Sequence, residues 1–169
     1  MDAGILIARL TLGLLMAAHG SQKLFGWFGG YGLSGTAPFF EALGFRPGRF
    51  FALAAAATEV ASGVLLAFGL FHPFAGAAML SVMVVAAVSV HWPNGLFAST
   101  NGIEVPLLYG VGAAALALIG PGAYSLDAVL GLSAFWTQSV TLSALAAGIA
   151  GGVVNLALRR PLPQVAATA

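Results

Sequence analysis

Cysteine is absent from the chain. That excludes a disulfide framework, a thiolate metal site and any chemistry using the protein's own thiols. Charge is scarce as well. Lys and Arg number six, Asp and Glu five, together 7% of 169 residues, against roughly 25% in an average soluble domain. A surface so poor in charge cannot face water on all sides. The formal net charge of +1 argues against the basic footprint of a nucleic-acid binder. The rest is 60% hydrophobic, and its arrangement is that of a membrane protein.

About twenty apolar residues cross a bilayer core. Five stretches qualify: 4–25, 49–70, 74–92, 103–120 and 139–158. The fold class expected is all-α and polytopic. Pro47 and Pro73 stand at or just before helix starts, where a missing backbone donor costs little. Pro93 and Pro121 follow helix ends and act as stops. The first stretch ends in His-Gly-Ser-Gln-Lys and is too long for a signal-peptide core, so it reads as a mature helix. The turn at 71–73 is tight and predicts an antiparallel hairpin. Segment 26–48 is rich in Gly and aromatics. It is expected to fold back over one end of the bundle, with a short interfacial helix over 36–43. That helix would present Phe39, Phe40 and Leu43 to lipid or protein, with Glu41 outward. The basic tail 159–169 is expected to fray.

Orientation follows from the basic residues. With five spans, Lys23, Arg46, Arg49, Arg159 and Arg160 share one side, and the positive-inside rule makes that side cytoplasmic. The expected location is the inner membrane, multi-pass, with the N-terminus outside. Trp27 and Trp92 would sit in the cytoplasmic aromatic belt and Trp136 in the outer one. Small residues recur at Ala52, Ala56, Glu59 and Gly63, and at Ala144, Gly148 and Gly152. Such seams let helices approach closely and leave room for a homodimer.

Ionisable residues inside membrane spans are costly and mark functional sites by default. Arg9, Leu12, Met16, His19 and Lys23 step by three and four along one helical stripe. Glu59 lies roughly 15 Å into its helix, near the midplane, His19 roughly 9 Å from the end of the first helix and Arg9 roughly 24 Å from it. Arg9 is therefore expected to reach Glu59 from the outer half, and His19 and Lys23 from the cytoplasmic half. His91, Asn94, Asn101 and Glu104 gather at the cytoplasmic mouth. The expectation is a polar cleft open to the cytoplasm with a carboxylate at its floor. Glu59, His19 and His91 are its candidate catalytic groups. Arg9, Lys23, Asn94, Glu104 and Trp27 are candidate binding residues.

A neutralised Glu beside a His suits a proton relay. A His at the interface suits donation to a quinone carbonyl, and Lys23 with Arg46 or Arg49 suits an anion. Two His on adjacent helices suit haem only at greater depth, so no metal is expected. Plainer readings stand beside these. Arg9–Glu59 serves as a structural ion pair, Lys23 snorkels to headgroups, His91 and Trp92 anchor the interface, and Glu104 complements a helix dipole. Asn94-Gly95 and Asn101-Gly102 are turn dipeptides, and Met79 and Met83 are core. His72 and Asp127 fall in links on the far side and receive no chemistry.

The run from Arg9 through His19-Gly-Ser-Gln-Lys23-Leu-Phe-Gly-Trp-Phe-Gly-Gly to Gly48 resembles the DoxX family of small bacterial and archaeal membrane proteins. So do the helix around Glu59, the His91-Trp-Pro-Asn-Gly-Leu-Phe motif, Asn101-Gly-Ile-Glu104, and the stretch ending at Asp127. The resemblance covers about residues 5–127. It implies a DoxX-like four-helix transmembrane bundle over 1–132 and functional positions at His19, Lys23, Glu59, His91, Asn94 and Glu104. Residues 133–169 depart from that pattern and add a fifth transmembrane helix over 139–158. The family also implies association with quinone-linked oxidase systems and with complexes handling thiol and oxidative stress. Three function classes follow: a quinone-linked redox subunit, a small-solute or proton-coupled transporter, and a non-catalytic membrane anchor for soluble redox enzymes. The expected partners are the lipid bilayer, a quinone or small anion, and such enzymes.

Overall fold

The computed structural model describes residues 1–160 and, among them, contains helices and no strand. The tail beyond Arg160, expected to fray, lies outside the described residues. Helix α1 (Asp2–Phe25) stops at Gly26, whose φ of 77° turns the chain out of the helix and returns its N–H to Gln22. A single 3-10 turn at Trp27–Gly29 leads into α2 (Gly32–Ala42), four residues longer at its start than expected. Helix α3 (Gly48–Phe68) ends at Gly69, again left-handed at φ 63°, and a three-residue turn starts α4 (His72–Ala86) with Pro73 in its first turn. Helix α5 (Glu104–Ile119) follows a compact loop. A link containing the one-turn α6 (Leu126–Val129) leads to α7 (Gln138–Ala157), capped by the Thr137 hydroxyl accepting from the Val140 N–H.

Four helical stretches are long and apolar enough to cross a membrane: Asp2–Phe25, Gly48–Phe68, His72–Asn94 and Gln138–Ala157. Helix α5 has 16 residues, about 24 Å against a hydrocarbon core of about 30 Å. In lipid every backbone polar group has to bond within its own helix, so apolar length alone selects these segments.

Packing pairs α1 with α3, and α4 with both α5 and α7, while α2 lies across α3. The contacts are backbone-close because glycines face them. A Cβ on Gly13 would stand 2.5 Å from the Gly63 carbonyl, and one on Gly20 would stand 2.7 Å from the Ala56 carbonyl. On α7, Gly148 abuts Ala77, and a Cβ on Gly152 would stand 2.9 Å from the Ser81 carbonyl. Both seams noted in the sequence are thus occupied inside the monomer. Lipid offers no hydrophobic drive between helices, so close van der Waals packing of this kind carries the association. Met16, Leu66, Ala75, Met79, Ala113 and Leu116 form the buried mid-layer.

The two ends of the bundle differ. At one end the Arg159 guanidinium donates to the Leu43 carbonyl (2.9 Å) and stands 5.6 Å over the Phe45 ring, and the Arg160 N–H bonds the Gly44 carbonyl (2.7 Å). The C-terminal end of α7 therefore ties down the link between α2 and α3. Lys23, Arg46, Arg49, Arg159 and Arg160 share this basic end. The other end is covered by residues 120–137.

Candidate functional site

Glu59 projects from α3 into the protein and is 1% exposed. Its Oε1 accepts from the Lys23 ammonium on α1, forming an ion pair whose lysine side chain is 33% exposed. Its Oε2 is buried and has no partner among the described residues. The other carboxylates are spoken for by backbone. Asp2 accepts from Ala123 N–H (3.0 Å), Glu41 from Gly48 N–H (3.1 Å), Glu104 from Ala98 N–H (2.7 Å) and Asp127 from Phe71 and His72 N–H. Glu59 is the carboxylate with a buried oxygen left unpartnered among the described residues.

Two cavities flank the ion pair. The larger, about 270 Å³, lies between α3 and α4 beneath α2. Phe39, Phe40, Phe45 and Phe51 wall it, and Thr58, Ser89 and Asn155 add polar atoms. The smaller, about 110 Å³, lies between α1, α4 and α5, and Met16, His19, Met83 and Tyr109 line it. Lys23, Glu59 and His91 border both. His19 is otherwise on the outside of α1, its ring edge-on to Tyr109 at 5.9 Å.

His91 reaches this position because α4 does not end as an ordinary α-helix. Residues Ala87–His91 form a π turn, followed by a 3-10 turn at Trp92–Asn94. An extra residue per turn rotates the side chains that follow, a device frequent at functional sites. The His91 Nδ1 stands 2.8 Å from the Asn101 carbonyl. A carbonyl only accepts, so Nδ1 carries the proton, and in the neutral ring Nε2 is an acceptor. The expected donation from His91 to a quinone carbonyl is therefore not the geometry of its Nδ1–H, which is committed to the loop.

Several expected site residues lie elsewhere. Asn94 donates to the Val90 and Asn101 carbonyls (3.1 and 3.3 Å), and Glu104 holds the 98–104 loop, so both position His91 from behind and line neither cavity. Trp27 is exposed and packs on Phe25 at 4.9 Å. Arg9 does not meet Glu59. Its buried guanidinium turns the opposite way, against Gly69, and donates to the Tyr124 carbonyl at 2.6 Å under the field of Asp127. The apolar layer around Met16 and Leu66 separates it from the ion pair. The nearer lysine takes the carboxylate, and the arginine bonds a backbone carbonyl at its own end, with its Nε and Nη1 left without a partner among the described residues.

That far end holds a knot that sequence reasoning passed over. Asp127, fully buried, accepts from the backbone N–H of Phe71 and His72 (2.9 and 3.0 Å), the His72 Nδ1–H (3.1 Å) and the Trp136 indole (2.9 Å). It caps α4 and pins the link to α7. Of the residues missed at the cavities, Asn155 carried a signal, being an amide near the C-terminal end of a 20-residue apolar helix whose other amide, Gln138, stands at its start. Thr58, Tyr109, Phe45 and Phe51 carried none, because aromatics and threonines face lipid as often as cavities.

The DoxX family model matches residues 4–92. This chain belongs to the DoxX family. The match runs from α1 to the turn after His91 and so contains Lys23, Glu59, His91 and the whole α2–α3–α4 wall of the larger cavity. Helices α5 and α7 lie beyond it. No curated protein and no solved structure matches the chain. As a DoxX protein with four membrane-length helices it is a multi-pass membrane protein.

Proposed function

We propose that this DoxX protein binds a quinone headgroup, or a small anion in its place, in the cavity beside the Lys23–Glu59 pair, as a membrane subunit of a redox system. The basic end then faces the cytoplasm across the inner membrane. One observation carries the reading: a charged pair and a histidine border two adjoining, mostly apolar hollows. Ligand sites are of this kind, apolar walls with a few convergent polar groups. A volume of about 270 Å³ falls near the lower limit of small-molecule sites, roughly 300 Å³. It favours one ring with its tail led out to the bilayer over a whole lipid. Lys23 keeps ammonium N–H bonds for a ligand oxygen. With no cysteine, electrons reach or leave such a ligand through a partner protein.

The test is calorimetric titration of the purified protein in nanodiscs with short-chain ubiquinone and menaquinone, in both redox states, and with thiosulfate. Saturable binding that weakens at least about tenfold in Lys23→Ala is expected. Absence of saturable binding for every probe removes the reading. A transporter is less well supported, because the buried mid-layer of Met16, Leu66, Met79 and Leu116 stands between the site and the far end. A pure anchor would leave partner capture unchanged in His91→Ala and Glu59→Gln and would lose it with Arg46 and Arg49.

A further inference from the structure

The end of the bundle remote from Lys23 holds a third cavity, of about 500 Å³, a size common among small-molecule sites. It lies between the C-terminal end of α5 and the N-terminal end of α7, with His72 of α4 and Trp136 in its wall. We propose that this cavity binds a zwitterionic head, with an ammonium at the α5 end and a phosphate or carboxylate at the α7 end. The proposal is independent of the Lys23–Glu59 site.

A helix C-terminus leaves carbonyls unbonded and carries partial negative charge; an N-terminus leaves N–H groups unbonded and carries partial positive charge. Here one of each borders the same hollow. On α5 the Gly120 N–H returns to Leu116 and Pro121 has none to give, so the Leu118 and Ile119 carbonyls accept from nothing among the described residues. On α7 the Thr137 hydroxyl takes the Val140 N–H, and those of Gln138 and Ser139 have no acceptor among the described residues. A side chain points to a ligand independently. Thr141, on the first turn of α7, is 4% exposed and lines the cavity. Thr36, Thr58 and Ser89 each return their proton to a carbonyl of their own helix, but the Thr141 hydroxyl makes no hydrogen bond among the described residues. It is a buried donor and acceptor with capacity for a group in the cavity.

The charge balance selects the ligand. The lining holds no lysine, arginine or carboxylate. A lone ion of either sign would stand there without a countercharge, and that is costly away from bulk water. A zwitterion brings no net charge and sets each of its charges against the helix end of opposite sign. Ser133 and Gln138, both exposed at the rim, add hydrogen-bonding groups. Leu118 and Ile119, exposed in the same wall, put acyl chains beside the hollow. The head therefore has two sources, an ethanolamine phospholipid of the bilayer or a free aminoalkyl phosphate or amino acid.

The test uses the full chain, delipidated in detergent micelles and carrying Trp27→Phe and Trp92→Phe, so that Trp136 is the remaining indole and reports binding by fluorescence. Short-chain phosphatidylethanolamine is titrated beside phosphatidylcholine and phosphatidylglycerol of the same chain length, and free phosphoethanolamine separately. The ethanolamine lipid is expected to bind at least about tenfold more tightly than either comparator, because choline has no N–H for the carbonyls and glycerol no positive charge. Thr141→Val deletes the hydroxyl in a helix that accepts apolar residues, and should weaken binding about fivefold. Saturation by the lipid but not by the free head supports the site and assigns it to the bilayer; saturation by the free head supports it and shows that a solute suffices. Choline or glycerol lipid bound as tightly as the ethanolamine lipid, unchanged affinity in Thr141→Val, or no saturable binding of any probe overturns the proposal. Each of these outcomes leaves the Lys23–Glu59 site untouched.

Discussion

Replacing Lys23 with methionine keeps the reach of the side chain and deletes its charge. Glu59, 1% exposed, is then left with neither carboxylate oxygen partnered. Stranding a buried charge in this way costs roughly 3–5 kcal/mol. One third of the Lys23 side chain is exposed, so water already screens the pair in part. The low end, about 3 kcal/mol, is therefore expected. Glu59→Gln costs less. It removes the buried charge itself and leaves a lysine that can reach water along the end of α1, at about 1 kcal/mol. The double variant should stay close to Glu59→Gln alone, a coupling of about 3 kcal/mol. Reversible unfolding in mixed micelles, followed by circular dichroism, reads all three. Equal costs for the two single variants, or additivity within about 0.5 kcal/mol, would refute the picture of a buried acid held by a half-wet base.

Gly13→Leu should drive α1 from α3, because even a Cβ there lies 2.5 Å from the Gly63 carbonyl, whereas Gly4→Ala meets nothing within 4 Å. A loss above about 2 kcal/mol for the first and none for the second is expected in the same unfolding assay. Asp127→Ala removes four accepted hydrogen bonds at the far end and should cost about 3 kcal/mol, while ligand titration at the Lys23–Glu59 site stays unchanged; a parallel loss of binding would mean the ends are coupled. The cysteine-free background makes single-cysteine mapping clean. In whole cells an impermeant maleimide should label Tyr124→Cys, 63% exposed at the far end, and spare Arg46→Cys; the reverse pattern would invert the orientation.

Much of this protein was legible along the chain. Apolar length marked the helices to within a few residues, as α3 at Gly48–Phe68 against 49–70 shows. Proline and glycine marked their ends. The meeting of Lys23 with Glu59 was within reach of helical spacing and depth, and so was the gathering of basic residues at one end. The pairing of Arg9 was not. Depth along a helix leaves its azimuth against each neighbour open, and Arg9 had an acid in either direction. The knot around Asp127 was invisible for a similar reason: it joins a link and its indole to a turn over fifty residues away.

Sequence by itself therefore determined that the chain is a bundle of membrane-spanning helices. In hydrocarbon each helix must satisfy its own backbone, so composition along a segment is enough to make it span. Tertiary structure decided what the few charges do. Glycine contacts set how α1 leans on α3, α2 folds back over the gap between α3 and α4, and a π turn swings His91 toward it. Those are agreements between distant surfaces, settled by which shapes fit together, and no local stretch of residues encodes them.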